Sequence, residues 1–226
     1  SEMCIRDSFC MDFNQINRLD RVTDTVTANT TAVRVLIDHH LHPPVDGYAV
    51  QFSDTHACST SYIVYQLLEA LAGTDAIDQA MAESLYVGIM TDTGNFAFSF
   101  LTPELFRAVA VLVEKGISIP DIHNSVYNAY TEGRARLFGY AINRKMEVIQ
   151  DGTVAYMSLL ENEMRRFQFQ QGDSEGFVNY ALTIKKVKMS AMFLAHRKFI
   201  RVSLRSRGDV DVNLFARKYF SGGGHK

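Results

Sequence analysis

Hydrophobic positions fall into two alternating spacings along the first half of the chain. Val33-Arg34-Val35-Leu36-Ile37 is a short β-branched run and reads as a buried strand. Phe9-Cys10-Met11 reads as the last three residues of another buried strand, and residues 49–52 as a weaker one. Between and after them the spacing turns helical. Residues 58–71 place Ile63, Val64, Leu67, Leu68 and Leu71 on one stripe, which Gly73 ends. A second helix is expected over 75–90. Pro103 opens a third that Gly116 closes, and a short fourth covers 120–127. This order predicts an α/β layered domain with a mostly parallel sheet and flanking helices.

After Tyr130 the pattern changes. Residues 132–144 read as a connecting helix, and 145–148 with 153–159, joined at Asp151-Gly152, as a hairpin. Helices are expected over 161–167 and 174–184. Alternating strands follow over 189–194 and 199–205, then a helix over 212–220. The predicted organisation is therefore a larger α/β domain over residues 1–128 and a smaller α/β domain over 129–226. Residues 1–8 lack periodicity and are expected to be non-native, and the chain is read as truncated at both ends.

Charge sharpens that division. Residues 1–128 carry 6 Lys and Arg against 16 Asp and Glu, a net −10, whereas residues 129–226 carry 17 against 9, a net +8. An acidic half can collect divalent cations and a basic half can collect phosphates. The plainer reading is two solvated surfaces that attract each other. The remaining composition, 47% hydrophobic and 21% charged, is that of a globular domain. No apolar run approaches the ~18 residues of a membrane span. Three cysteines, Cys4, Cys10 and Cys58, are odd in number and lack metal-ligand spacing, and they read as reduced thiols of a cytoplasmic protein.

The candidate chemistry sits at the ends of apolar segments. Asp38-His39-His40 follows the strand 33–37 directly, where open α/β sheets place their ligands. Carboxylate beside imidazole suits Mn²⁺ or a similar first-row ion. Asp92, in Thr91-Asp92-Thr93-Gly94, follows the apolar positions Leu85, Val87, Ile89 and Met90, and Asp12 closes the segment 9–11. Singly, each is as readily a turn or capping residue. In the basic half, alternation along 199–205 puts Arg201, Ser203 and Arg205 on one face. A solvated face is the preferred reading for Arg201, and a forked phosphate contact for Arg205. Gly222, Gly223 and Gly224 let backbone N–H groups approach a phosphate, and His225 follows them. His56, His123 and His196 read as surface or satisfied histidines. Phe96 and Phe98 read as packing groups, as do Met189 and Met192.

Taken together, Asp12-Phe13-Asn14, Asp38-His39-His40 and Asp92-Thr93-Gly94 resemble the later metal motifs of the DHH phosphoesterase family. Gly176-Phe177-Val178-Asn179, Arg205-Ser206-Arg207-Gly208 and Gly222-Gly223-Gly224-His225 resemble its C-terminal DHHA1 substrate domain. The likeness spans residues 9–226 and is nearest to the bacterial bifunctional oligoribonucleases that also dephosphorylate phosphoadenosine phosphate. It implies a DHH domain over 1–128 and a DHHA1 domain over 129–226. It also implies a pair of divalent metal ions, Mn²⁺ foremost, with Mg²⁺ and Co²⁺ of the same class. Asp12 then matches the aspartate that bridges the metals, and His39 and Asp92 match ligands of the second one. Asp38 matches a carboxylate behind the ligands, and His40 a catalytic histidine facing the scissile phosphate. Arg205, Gly222, Gly223, Gly224 and His225 match substrate-binding positions. The family's first motif, a His followed by an Asp-x-Asp pair, is absent from this chain.

The implied activity is hydrolysis of phosphoester bonds in short RNA or phosphoadenosine phosphate, in the cytoplasm, without a membrane, and with a homodimer allowed. Two alternatives stay open: a pyrophosphatase or polyphosphatase of the same superfamily, and a non-catalytic nucleotide or cyclic-dinucleotide binder.

Overall fold

The computed structural model describes residues 7–97, 100–220 and 222. The chain divides into two compact units that meet between Val126 and Tyr127.

The first unit holds a three-stranded parallel sheet in the order β1 (Asp7–Met11), β2 (Val33–Asp38), β3 (Val50–Ser53). Asp7 and Ser8, expected to be non-native, pair in register with Val33 and Arg34. Of the three apolar residues read as a buried strand end, only Cys10 is buried. Phe9 is 63% and Met11 49% exposed. Alternation explains this, because the pleat sends Phe9 and Met11 to the opposite face from Cys10. Residues 16–28, which carried no expected element, form a 3₁₀ segment (Ile16–Val22) running into α1 (Thr23–Ala28).

Four helices follow, α2 (Thr60–Ala72), α3 (Gln79–Asp92), α4 (Pro103–Glu114) and α5 (Ile119–Tyr127). Their starts are set by side-chain caps. Ser59 accepts from the Tyr62 N–H, Asp78 from Met81, and Thr102 from Leu105. The cap at Asp78 moves the start of α3 past the expected Asp75, and Thr74–Ala76 make a separate 3₁₀ turn. The core is built from Leu36 and Ile37 of β2 with Ile63, Leu85, Ile89 and Met90 of the helices. At Gly88 of α3, an added Cβ would lie 1.9 Å from the Ser61 Oγ of α2, so these two helices approach closely because that position has no side chain.

The second unit is a four-stranded mixed sheet, β4 (Glu147–Ile149), β5 (Val154–Leu159), β6 (Met189–Ala195) and β7 (Ile200–Ser206), in that order. β4–β5 and β6–β7 are antiparallel, and β5–β6 is parallel. α6 (Glu132–Tyr140) leads into it through a π turn at Ala141–Lys145. α7 (Glu161–Arg166) and α8 (Phe177–Tyr180) cross from β5 to β6, and α9 (Val212–Tyr219) follows β7. The helix expected over 174–184 is much shorter. Gly176 has φ 83°, outside right-handed helix geometry, so α8 begins after it and passes into a 3₁₀ turn at Ala181–Thr183. Leu137, Met157, Leu159, Phe177, Met192 and Leu194 form its core. Among the described residues no helix is long and apolar enough to cross a membrane.

Candidate metal centre

The carboxyl end of β2 supplies the centre. Leu36 and Ile37 anchor the strand in the core, and Asp38 is fully buried at its last position. The Asp38 carboxylate turns back on the next turn of chain. Oδ2 accepts the His40 backbone N–H at 3.2 Å, and Oδ1 lies 2.6 Å from His40 Nδ1. A carboxylate can only accept, so Nδ1 carries the proton in that contact. Nε2 is then the nitrogen left to meet a metal or a substrate.

His39 points the other way. Its Nδ1 is 3.3 Å from the Ala57 carbonyl, which likewise makes Nδ1 the protonated nitrogen. Its Nε2 lies 3.7 Å from Asp12 Oδ1 and 3.7 Å from Asp92 Oδ2. The two imidazoles meet edge to face, with ring centroids 4.9 Å apart. Asp12 stands one residue beyond β1 with φ 64°, a left-handed conformation that aspartate tolerates better than most residues. Its N–H still donates to the Ile37 carbonyl, which fixes it against the end of β2. The Thr60 hydroxyl, in the first turn of α2, donates to Asp12 Oδ1 at 2.9 Å. Asp92 is the last residue of α3, a position held by the buried Leu85, Ile89 and Met90.

These residues fit a divalent metal. Separations of 3.7 Å are too long for hydrogen bonds. An ion about 2.0–2.2 Å from each donor can still span them. Asp12, His39 and His40 each offer a donor atom, and these atoms lie within 4.8 Å of one another. His40 thus stands close enough to join the donors as well as to face a substrate. Burial pushes the Asp92 carboxyl up from its ordinary range. The His39 imidazole opposes that shift, Asp12 reinforces it, and His40 opposes it. The Asp92 side chain keeps 40% exposure, so a cation can reach it from solvent. Burial also raises the Cys58 thiol, with the Ser59 hydroxyl opposing and Asp92 adding to the rise, so Cys58 is a neutral thiol beside the donors.

Thr60 and Ala57 belong to this centre and had no signal in the sequence. Each acts through one contact to a residue far away in the chain, 48 positions for Thr60 and 18 for Ala57.

In the second unit, Arg201, Ser203 and Arg205 of β7 line a cavity of about 90 Å³ together with Glu175, Gly176 and Asn179. Arg201 is half exposed, as expected of a solvated face, and also stands beside Arg205 at this cavity. Its Nη2 lies 3.4 Å from Glu175 Oε1. Arg205 donates to the adjacent Leu204 carbonyl and has no acidic partner among the described residues. Gly222 is exposed, and a Cβ there would only touch the Ala216 side chain at 3.8 Å. Gly223, Gly224, His225 and Phe98 lie outside the described residues. Phe96 packs between the rings of Tyr86 and Phe106, at 6.2 and 5.8 Å.

Residues 6–89 match the sequence profile of the DHH family, N-terminal domain. The bifunctional oligoribonuclease and PAP phosphatase NrnA of Bacillus subtilis is 29% identical over 191 residues, covering 84% of this chain and 59% of that protein. The enzyme of the same name from Thermus thermophilus is 28% identical over 192 residues, covering 84% and 55%. The chain thus spans less than two thirds of the length of these relatives. The crystal structure of an exopolyphosphatase-related protein from Bacteroides fragilis superposes with a TM-score of 0.89 at 38% identity, over 96% of this chain and 63% of that one.

Proposed function

With residues 6–89 taken as a DHH-family N-terminal domain, we propose that the chain is part of a metal-dependent phosphoesterase acting on short oligoribonucleotides or phosphoadenosine phosphate. The observation that carries this reading is the position of His39 Nε2, 3.7 Å from both Asp12 and Asp92. Two carboxylates, one just beyond β1 and one at the end of α3, approach the same imidazole nitrogen just beyond β2, each at a separation longer than a hydrogen bond.

Asp12, His39 and Asp92 would hold the divalent ion, Mn²⁺ being the best match to a mixed carboxylate and imidazole set. The ion supplies charge neutralisation of the phosphate and acidifies water at that point. The chain's own residues do the rest. Asp38 holds the His40 ring by its Nδ1 proton and so aims Nε2. When Nε2 also carries a proton, taken from water, His40 can donate to a phosphate oxygen and pass that proton to the leaving oxygen. Thr60 and the Ala57 carbonyl keep Asp12 and His39 oriented. Residues 127–226 serve as the substrate-binding DHHA1 domain, with Arg205 as its phosphate contact.

A second reading, cleavage of inorganic polyphosphate, is favoured by the likeness to the exopolyphosphatase-related protein. The test is release of mononucleotide from a labelled diribonucleotide with Mn²⁺ by the full protein that contains this chain, beside release of phosphate from tripolyphosphate. Diribonucleotide cleavage that His39→Ala abolishes is the expected result. Cleavage of tripolyphosphate alone selects the second reading, and no cleavage of either by folded, Mn²⁺-loaded protein rejects both.

A further inference from the structure

A second cavity in the 127–226 unit, about 450 Å³ in volume, shares no lining residue with the one around Arg205. It lies between α7 with its following turn and the β6–β7 turn at residues 196–199. We infer that it is a binding station for one nucleotide of a single-stranded oligonucleotide, separate from the metal centre and from the Arg205 cavity.

The walls carry two kinds of group that together restrict the ligand. Phe169, His196 and Phe199 supply ring surface, with Met164 at the base. His196 and Phe199 are stacked on each other, centroids 4.7 Å apart and planes 25° from parallel, and Phe199 is 60% exposed. An exposed phenylalanine with a stacked neighbour leaves its outer face ready for another flat ring. Around these rings stand Arg165, Arg197 and Lys198, none of which has an acidic partner within ion-pair distance among the described residues. Glu161 on the same rim offers an acceptor suited to a base amino group.

The turn after α7 is shaped for this. Gln168 has φ 55°, left-handed and without the freedom of glycine, and it lets the Phe169 N–H reach back to the Met164 carbonyl at 3.1 Å. That contact closes the helix end, and Phe169 packs against the core cluster that includes Met164. Opposite it, the His196 N–H donates to the Phe199 carbonyl at 2.8 Å and closes the β6–β7 turn.

An apolar groove alone would suit a lipid or a peptide, and cations alone would suit free phosphate. Rings and unpaired cations on one rim suit a ligand that has a flat apolar face and an anionic group within a few ångströms of it, which is a nucleotide unit. The size falls in the range that holds one such unit. The surrounding domain, with 17 Lys and Arg against 9 Asp and Glu, attracts a polyanion rather than a cation. The inference concerns binding and stands without the hydrolytic reading.

The test is fluorescence anisotropy of a labelled pentaadenylate with this chain in EDTA, where no turnover occurs. Phe199→Ala should weaken binding at least about five-fold, the lower end for loss of one base-stacking partner. Replacing Arg197 and Lys198 together by Ala should weaken it and reduce the log–log salt slope by roughly 1.4, at ~0.7 per phosphate contact on a single strand. Unchanged melting curves show that the variants fold. Loss of affinity in the Arg197/Lys198 variant with none in Phe199→Ala would overturn the proposal, because the surface would then be a nonspecific phosphate patch. Pentaadenylate binding untouched by either variant would also overturn it. So would Phe199-dependent binding to anionic phospholipid vesicles without oligonucleotide binding. If the oligonucleotide binds as expected but the full protein cleaves nothing, only the hydrolytic reading fails.

Discussion

Asp38 Oδ1 and His40 Nδ1 lie 2.6 Å apart, with the carboxylate wholly shut off from solvent and the imidazole nearly so. Two residues that adjoin one chain turn thus form a closed pair behind the donors of the metal centre. The pair leaves one face of the His40 ring directed by a group that no solvent fluctuation can replace. Asp38→Ala removes that acceptor and strands a buried N–H, at a cost of about 1–3 kcal/mol in stability. Activity should fall about 10–100-fold, the usual scale for loss of an orienting partner behind a ligand. Chemical denaturation and initial rates measure the two effects.

His40→Ala separates the roles open to His40. As a group facing the substrate, its loss should lower turnover at least ~100-fold while Mn²⁺ affinity stays within a few-fold. Isothermal titration with Mn²⁺ provides the check. A matching collapse of Mn²⁺ affinity would make His40 a ligand, which its place among the donor atoms within 4.8 Å allows.

Much of this centre was legible because apolar runs stop where its residues stand. β2 ends at Asp38, and α3 ends at Asp92, so the edges of hydrophobic segments marked both. The faces of the elements were less legible. Three residues at 9–11 show alternation but not which side helices cover, and so Phe9 and Met11 were expected inside and stand outside. Arg201 shared its face with Arg205 on paper, but what lies over that face depends on the turn before α8, which Gly176 sets by a backbone angle that composition does not reveal. Contacts such as Thr60 to Asp12 join residues with no shared local pattern, and only the packing of α2 beside β2 brings them together.

Asp92 links the centre to pH. Burial raises its carboxyl above the ordinary value, so in the metal-free fold the proton is held more tightly than in the unfolded chain. The stability that this group contributes is full below the unfolded value of about 3.9 and disappears as pH rises through the raised folded value. At neutral pH the ionised Asp92 therefore burdens the metal-free fold. Asp92→Asn should raise the melting temperature in EDTA at pH 7, and the gain should vanish near pH 3. The same variant should lose most of the stabilisation that Mn²⁺ gives the parent chain. For the parent, Mn²⁺ affinity should weaken as pH falls from 7 toward 5, since proton and cation compete for one carboxylate.

Gly88→Ala tests whether the approach of α3 to α2 places Asp92. A Cβ at 88 would meet the Ser61 Oγ at 1.9 Å and the Ser61 Cβ at 2.7 Å. The second contact cannot be relieved by rotating the hydroxyl alone, so the helices must part. A cost of about 1–3 kcal/mol is expected for such overpacking. Because Asp92 lies one turn further along α3 and Thr60 next to Ser61 on α2, Mn²⁺ affinity should fall as well. Double substitution Gly88→Ala with Ser61→Gly should restore both, measured by thermal melts with and without Mn²⁺.

Arg201 and Arg205 differ in what they must give up to bind an anion. Arg201 is held by Glu175 in an exposed pair, an interaction worth about 0–1 kcal/mol, so a phosphate displaces the carboxylate at little cost but also gains little. Arg205 spends one N–H on the neighbouring Leu204 carbonyl and keeps the rest of its fork for a ligand. Arg205→Ala should therefore raise the KM for a diribonucleotide about ten- to hundred-fold, the scale of one or two charge-assisted hydrogen bonds. Arg201→Ala should raise it less than five-fold. Glu175→Gln removes a competing negative charge from the cavity and should lower KM, most visibly at low salt where charges act over longer distances. Steady-state kinetics at two ionic strengths distinguish these outcomes. Equal losses for the two arginines would mean that Glu175 does not restrain Arg201 in solution.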